Sequence, residues 1–135
     1  MAVAPIPPGY STVTPYLITR DAAKAIDFYK KAFGAVELRR WSNEDGSVHV
    51  AEMEIQGAMF HLHEEVRSSG ESSPETLKGT SVLIGLFVSD PDALMQSALA
   101  VGGKQTSPMQ DYDYGYRQGV VMDPAGHKWM LQKRI

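Results

Sequence analysis

Hydrophobic and polar positions along the chain predict the same order of elements twice. In the first half, alternation over residues 11–19 indicates a strand, and apolar side chains at helical spacing over 21–34 indicate a helix. Three more strands are predicted from alternation between turn residues, over 36–41, 48–55 and 58–63. The first half therefore has the order β-α-β-β-β.

The second half follows the same order. A strand is predicted over 81–89, and the helix after it has Asp90 as its N-cap. A short strand near 104–106 precedes the tyrosine-rich segment 110–117, which we interpret as a surface loop or dimer contact, with a lid over a binding site as the alternative. The last two strands, "RQGVVMD" and "HKWMLQK", lie on either side of a type I turn at "DPAG".

The two halves also match residue by residue. A shift of 69 residues pairs positions of similar chemistry: Asp21 with Asp90, Met53 with Met122, Gly57 with Gly126, Phe60 with Trp129, and Leu62 with Leu131. We interpret this match as a duplication. The predicted fold class is α+β, a single domain of two tandem βαβββ modules over about residues 10–63 and 81–135. The polar segment 64–80 between them is predicted to be a solvated linker, and residues 1–10 an extended arm.

Helices on one face of such a sheet leave the other face free to curve into a cup. Side-chain alternation then places large apolar residues under the helices: Phe60, Leu62, Trp129 and Leu131. Their neighbours and residues of other strands are predicted to face the cup: Thr14, Tyr16, Val50, Glu52, Met59, His61, His63, Leu83, Phe87, Met130 and Gln132. The constant offset adds Arg117, Gly119 and Val121 to the cup.

Composition narrows the classes of partner. The chain has 135 residues, with 13 basic and 16 acidic side chains and a net charge of −3, so it lacks the basic excess of a nucleic-acid-binding protein. It has no cysteine, which excludes disulfides, thiolate metal sites and a cysteine nucleophile. The first residues resemble no signal peptide and no apolar run is long enough for a membrane span, so a cytoplasmic location without membrane contact is expected.

The stretch "MFHLHEE", residues 59–65, raises the question of a metal site. In a strand, His61 and His63 point to the same side, and paired imidazoles on one face of a sheet are common metal ligands. Together with Glu52 on the neighbouring predicted strand they would form a sound ligand set. We favour the other interpretation, in which His61 is a hydrogen-bonding residue of a pocket and His63 is half exposed near the strand end, because no further ligand converges on the site.

Three stretches carry a family resemblance: "TPYLITRDAAKAIDFYKKAFGA", "VHVAEMEIQGAMFHLHEE" and "DPAGHKWMLQ". Their order and spacing resemble the vicinal oxygen chelate superfamily, which includes glyoxalase I, bleomycin-resistance proteins and extradiol dioxygenases. Within it, the chain is most similar to the PhnB-like branch, from about Tyr10 to the C-terminus. The resemblance implies paired modules that form a cup, usually a homodimer, and in many enzymes of the group a divalent metal ion.

The resemblance also implies where such a metal would be held, on the first and fourth strands of each module. Carried over to this sequence, the four ligand positions are Thr14, His61, Leu83 and Met130. Only His61 is a good metal donor, and a stable site needs at least three. We therefore expect no metal and no other cofactor. The alternative is a divalent metal at His61, His63 and Glu52, in a lyase, isomerase or dioxygenase of the same group.

What remains is a cup with aromatic and apolar walls and few polar groups, which is typical of a small-molecule site. Aromatic rings and methionines are expected to supply packing surface: Tyr16, Trp41, Phe87, Met59 and Met130. Glu52 and His61 are candidate catalytic groups, a base and a proton carrier, and Arg117 is a candidate anion clamp. An ion pair between Glu52 and Arg117 without a ligand is the structural alternative. The sequence thus predicts a metal-free protein that binds a small organic molecule, or a metal-free acid–base enzyme.

Overall fold

A computed structural model describes residues 2–135 and has the predicted α+β architecture. Met1, the first residue of the predicted arm, lies outside the described residues. The first module contains β1 (Tyr16–Thr19), α1 (Ala22–Phe33), β2 (Val36–Ser42), β3 (Val48–Ile55) and β4 (Ala58–Glu64). A short helix in the linker, α2 (Pro74–Leu77), precedes the second module, which contains β5 (Leu83–Phe87), α3 (Pro91–Ala100), β6 (Lys104–Tyr112), β7 (Tyr116–Met122) and β8 (Lys128–Arg134).

Both long helices begin where their capping residues predict. The side chain of Asp21 accepts a hydrogen bond from the backbone N–H of Lys24 at the start of α1, and Asp90 does the same for Ala93 in α3, both at 3.1 Å. Gly34 ends α1 in the left-handed conformation that favours glycine. None of the helices in the described part of the chain combines the length and the apolar character of a membrane span.

Each module forms its own four-stranded mixed sheet. The strand orders are β1-β4-β3-β2 and β5-β8-β7-β6, with β1 parallel to β4 and β5 parallel to β8. Within residues 2–135, strands pair only inside a module. Each sheet therefore has one face covered by helix and one face that points away from it, which we call the open face of the first or second sheet.

The helix-covered sides of the two sheets share one hydrophobic core. The rings of Phe60 and Trp129 lie 5.6 Å apart between centroids, and Trp129 also contacts Tyr29 and Phe33 of α1. Phe60 and Trp129 are buried, as predicted from alternation. Burial of these large rings joins the modules, since apolar area removed from water is the main source of folding free energy.

The faces of β7 were predicted incorrectly. Met53 precedes its cross-strand partner Phe60 by seven positions, whereas Val121 precedes its partner Trp129 by eight, because the second hairpin has a longer turn. A shift of one residue moves every side chain of a strand to the other face. Arg117, Gly119 and Val121 therefore lie on the helix-covered side, and Val121 is fully buried.

One other local prediction also differs from the structure. The tyrosine-rich segment is not a loop, because β6 continues to Tyr112 and forms a tight hairpin with β7. His127, in the turn between β7 and β8, is buried, and its Nε2 lies 2.8 Å from the carbonyl oxygen of Ile18. This contact links the "DPAG" turn of the second module to β1 of the first.

Candidate functional site

The candidate site lies on the open face of the first sheet. Sheet register places Tyr16 of β1 and Glu52 of β3 directly beside His61 of β4, so the three side chains form a row across neighbouring strands. The ring of Tyr16 lies 4.5 Å from the imidazole of His61 between centroids. His61 is buried although it is on the open face, because the N-terminal arm covers it.

The arm places Tyr10 in contact with this row. The hydroxyl of Tyr10 donates a hydrogen bond to Glu52 Oε1 at 2.5 Å and lies 2.7 Å from His61 Nε2. Gly9 approaches Met59 so closely that an added Cβ would lie 3.2 Å from its sulfur. We call the three hydrogen-bonding residues Tyr10, Glu52 and His61 the Tyr-Glu-His cluster.

The hydrogen-bond partners determine which atoms of this cluster carry protons. Burial and the Glu52 carboxylate raise the pKa of Tyr10 to about 12, so its hydroxyl is protonated at neutral pH. Since that single proton is donated to Glu52, the contact with His61 requires that His61 Nε2 carry the proton of the imidazole and donate it. His61 Nδ1 is then a buried acceptor, and it has no hydrogen-bond partner within residues 2–135. Burial lowers the pKa of His61, against the opposing effect of the Glu52 carboxylate.

A cleft of about 530 Å³ lies beside the cluster, between the arm and β2. It is lined by residues of both: Pro7, Pro8, Tyr10, Leu38, Arg39, Trp41 and Glu52. The guanidinium carbon of Arg39 lies 5.4 Å from the centre of the Trp41 ring, within reach of a cation–π contact. The cleft thus offers an aromatic wall, one cation and one carboxylate.

The proposed metal ligands do not come together. His61 Nε2 lies 3.9 Å from Glu52 Oε1, with the Tyr10 hydroxyl in contact with both. His63 is directed elsewhere: its Nε2 lies 3.3 Å from a carboxylate oxygen of Glu71 in the linker. No group of three or more histidine and acidic side chains placed to hold a metal ion occurs within residues 2–135.

Arg117 does not belong to either open face. Its guanidinium makes two hydrogen bonds of 2.8 Å to Asp92 at the start of α3 and one of 2.9 Å to Asp111 of β6. The predicted pair with Glu52 is therefore absent. Because both acidic partners already bind the guanidinium, Arg117 stabilises the packing of α3 on the second sheet and is not an anion clamp in the site.

The open face of the second sheet carries the other predicted ligand-binding residues, Leu83, Phe87 and Met130. Sequence reasoning missed the polar pair beside them, in which Gln118 donates to Gln132 at 2.8 Å. It was missed because the constant offset placed Gln118 on the wrong face of β7.

The family model described as "Glyoxalase/Bleomycin resistance protein/Dioxygenase superfamily" matches residues 11–131. The chain belongs to this superfamily. It is 44% identical over 126 residues to the uncharacterized protein Mb0911c of Mycobacterium bovis, covering 91% of this chain and 83% of that protein.

Two solved structures share the fold of this superfamily member. The crystal structure of TioX from Micromonospora sp. ML1 has a TM-score of 0.72 at 24% identity, over 93% of this chain and 99% of the other. The structure of the Arabidopsis thaliana gene product At5g48480 has a TM-score of 0.72 at 25% identity, with the same two coverages. The structural likeness extends over both modules.

The sheet register differs from the ligand positions expected for the superfamily. Thr14 precedes β1 and donates to the carbonyl of Ser11, so Tyr16 is the residue beside His61. In the second module, Gly85, not Leu83, lies beside Met130. With His61 as the one strong donor among the four positions, these residues do not fit the metal of the superfamily's enzymes.

Tyr10 and Arg39 are the further site residues that sequence reasoning missed. An arm rich in proline and glycine has no periodicity that assigns its side chains to a face, so nothing marked Tyr10. Arg39 lies in "VELRRW", where a bulge between Glu37 and Arg39 shifts the alternation. The available signal for Arg39 was Trp41, because residues two positions apart in a strand lie on the same face of the sheet.

Proposed function

We propose that this superfamily member binds a small organic molecule on the open face of the first sheet, without a metal ion. The observation that carries the proposal is the Tyr-Glu-His cluster, a set of polar groups enclosed by aromatic rings at the wall of a cleft. Sites for small molecules combine apolar and aromatic walls with a few placed polar groups. The aromatic walls are the rings of Tyr16 and Trp41, and a further polar group is the Arg39 guanidinium.

Trp41 offers a direct measurement. Of the two tryptophans, Trp129 is buried in the core and Trp41 is 40% exposed at the cleft. We would titrate the protein with anilinonaphthalene sulfonate, an aromatic anion, and record energy transfer from tryptophan to the bound probe. Saturable binding is expected, with transfer largely lost in Trp41→Phe.

Two arginine variants locate the probe. Arg39→Ala is expected to weaken binding several-fold, because the cation beside Trp41 attracts the sulfonate. Arg117→Ala is the matched control and is expected to leave binding unchanged, since its charge is held by Asp92 and Asp111. Equal affinity of wild type and both arginine variants, with transfer retained in Trp41→Phe, would place the probe elsewhere and contradict the proposal.

The same cluster supports a second candidate function, metal-free proton transfer. Glu52 and a neutral His61 lie side by side, and groups of this kind act as general base and proton carrier. The measurement is deuterium incorporation from heavy water into dihydroxyacetone, a simple carbon acid, followed by proton NMR. Incorporation above the buffer rate that His61→Ala abolishes is expected if the candidate is correct, and incorporation at the buffer rate contradicts it.

A metal-dependent lyase, isomerase or dioxygenase is less well supported. It needs a third donor beside His61 and Glu52, and His63 is turned toward Glu71.

We also propose that the protein is a homodimer. Its support is the exposed aromatic and apolar surface on both open faces, with Tyr16 57% and Phe87 65% exposed.

A further inference from the structure

The N-terminal arm is attached to the first sheet mainly through one side chain. Residues 2–9 are exposed, and within the described chain the hydrogen bonds that tie residues 2–10 to the sheet are the two made by the Tyr10 hydroxyl. The backbone N–H of Tyr10 bonds to Pro7 inside the arm itself. The ring and the hydroxyl of Tyr10 therefore hold the arm against the first sheet.

The contacts of Tyr10 are those expected of a bound ligand. Its ring meets the imidazole of His61 edge-on, with centroids 5.4 Å apart at 64°. Its hydroxyl satisfies the Glu52 carboxylate and the Nε2 of His61 together. Without the Tyr10 ring, a half-buried carboxylate and an imidazole would lose their shared partner, which leaves a place for another hydroxyl group.

We propose that the Tyr10 side chain occupies the position of the ligand, and that the first sheet binds phenols in place of this side chain when the arm moves away. This inference rests on the proposed small-molecule function and names the ligand class. A phenol matches the position on three counts: a flat ring, one hydroxyl proton for Glu52, and one lone pair for His61.

Other ligand classes match less well. A carboxylate in the same position would face the charge of Glu52 and could not donate to it. An aliphatic alcohol can make the hydrogen bonds but lacks the ring that packs against His61 and Tyr16. An apolar ring without a hydroxyl would leave Glu52 and His61 unpaired, which costs about as much as a lost hydrogen bond to a charged group.

The arm competes with any such ligand because it belongs to the same chain. Its effective concentration at the site is high, so a free phenol must displace it and binds the wild type weakly. Shortening the side chain in Tyr10→Ala removes the competitor and opens a space of the size of p-cresol. The affinity for p-cresol should therefore rise when Tyr10 is replaced.

The experiment measures the melting temperature of the full-length chain during titration with p-cresol and, in parallel, toluene. In Tyr10→Ala, p-cresol should give a saturable rise and bind at least about tenfold more tightly than toluene, the factor expected for a hydrogen bond to a charged group. Wild type should respond little to either probe. Tyr114→Ala, which removes an exposed tyrosine from the turn between β6 and β7, is the matched control and should resemble wild type.

Several outcomes would overturn the inference. Equal affinities for p-cresol and toluene in Tyr10→Ala would mean an apolar hole without hydroxyl recognition. No binding of p-cresol to Tyr10→Ala, with saturable anilinonaphthalene sulfonate binding near Trp41 retained, would refute the phenol assignment and leave the proposed function standing. If Tyr10→Ala does not fold on its own, p-cresol added during refolding should restore its fold. Failure of p-cresol to restore the fold counts against the inference.

Discussion

The Tyr29 hydroxyl of α1 donates a hydrogen bond of 2.5 Å to Oδ2 of Asp123, which belongs to the other module. The same carboxylate oxygen accepts from Trp129 Nε1 at 2.8 Å, and the other oxygen accepts from the backbone N–H groups of Ala125 and His127. Asp123 is 3% exposed, so a buried carboxylate at the start of the turn fastens the second hairpin to the helix of the first module.

Replacing Tyr29 by Phe should lower the free energy of unfolding by about 1.5–3 kcal/mol, the usual range for a hydrogen bond to a charged group. The ring packing is kept, so the loss reports the bond to Asp123. Urea unfolding followed by circular dichroism measures it. Tyr16→Phe, at an exposed tyrosine, is the control and should change stability little. A loss in Tyr29→Phe no larger than that of the control would show that the bond between the modules contributes nothing.

The lowered pKa of His61 predicts a loss of stability in mild acid. Burial holds the folded-state pKa below the ordinary value of 6.5, so below that pH the unfolded chain binds more protons than the folded chain. The contribution of His61 is therefore fully present above about pH 6.5 and is lost as the pH falls through the folded-state pKa.

Proton NMR of the imidazole resonances between pH 8 and 5 measures this pKa, with His61→Gln for assignment. Unfolding at pH 7.5 and 5.5 should reveal a smaller pH dependence in His61→Gln than in wild type. A folded-state pKa of His61 above 6.5 would reverse the sign and refute the prediction.

A homodimer is expected at micromolar concentration. Phe87 is 65% exposed on the second open face, so Phe87→Arg should shift the mass measured by light scattering toward the monomer. Leu77→Arg is the control, since Leu77 is equally exposed, at 66%, but lies on the linker helix α2 and not on a strand of either sheet. A strictly monomeric wild type across a dilution series to high micromolar concentration would rule out the dimer.

No divalent metal is expected to bind in stoichiometric amount. Zinc, nickel, manganese and iron should give no saturable rise in melting temperature, and a chelator should cause no loss, because His61 lacks two further strong donors. The test uses protein purified without a histidine tag. Near-equimolar metal that disappears in His61→Ala would contradict the expectation and restore the metal-dependent candidate.

Alternation correctly predicted the buried faces of β4 and β8. Phe60 and Trp129 could be assigned to the core because each alternates with residues of different polarity along its strand. Tyr16, Glu52 and His61 were placed on one face for the same reason, and the register brings them together. Periodicity therefore predicted most of the fold and three residues of the site.

What the sequence could not supply was the length of a turn and the path of the arm. The eight-position spacing from Val121 to Trp129 depends on backbone geometry in the "DPAG" turn, and a single extra residue there reversed the face of Arg117. Tyr10 lies in a segment without periodic structure, and its position is fixed by tertiary contacts alone. Long-range hydrogen bonds of this kind leave no local pattern in the sequence.

The separate pairing of the two sheets has a consequence for dissection of the chain. Because Trp129 packs against Tyr29, and no strand within residues 2–135 crosses between the modules, the peptide bonds of the linker are not what holds the modules together. A cut near residue 80 would produce two fragments that each contain a whole sheet and half of a common core. Such fragments suit a split-protein pair, in which reassembly of the halves reports that two fused partners have met.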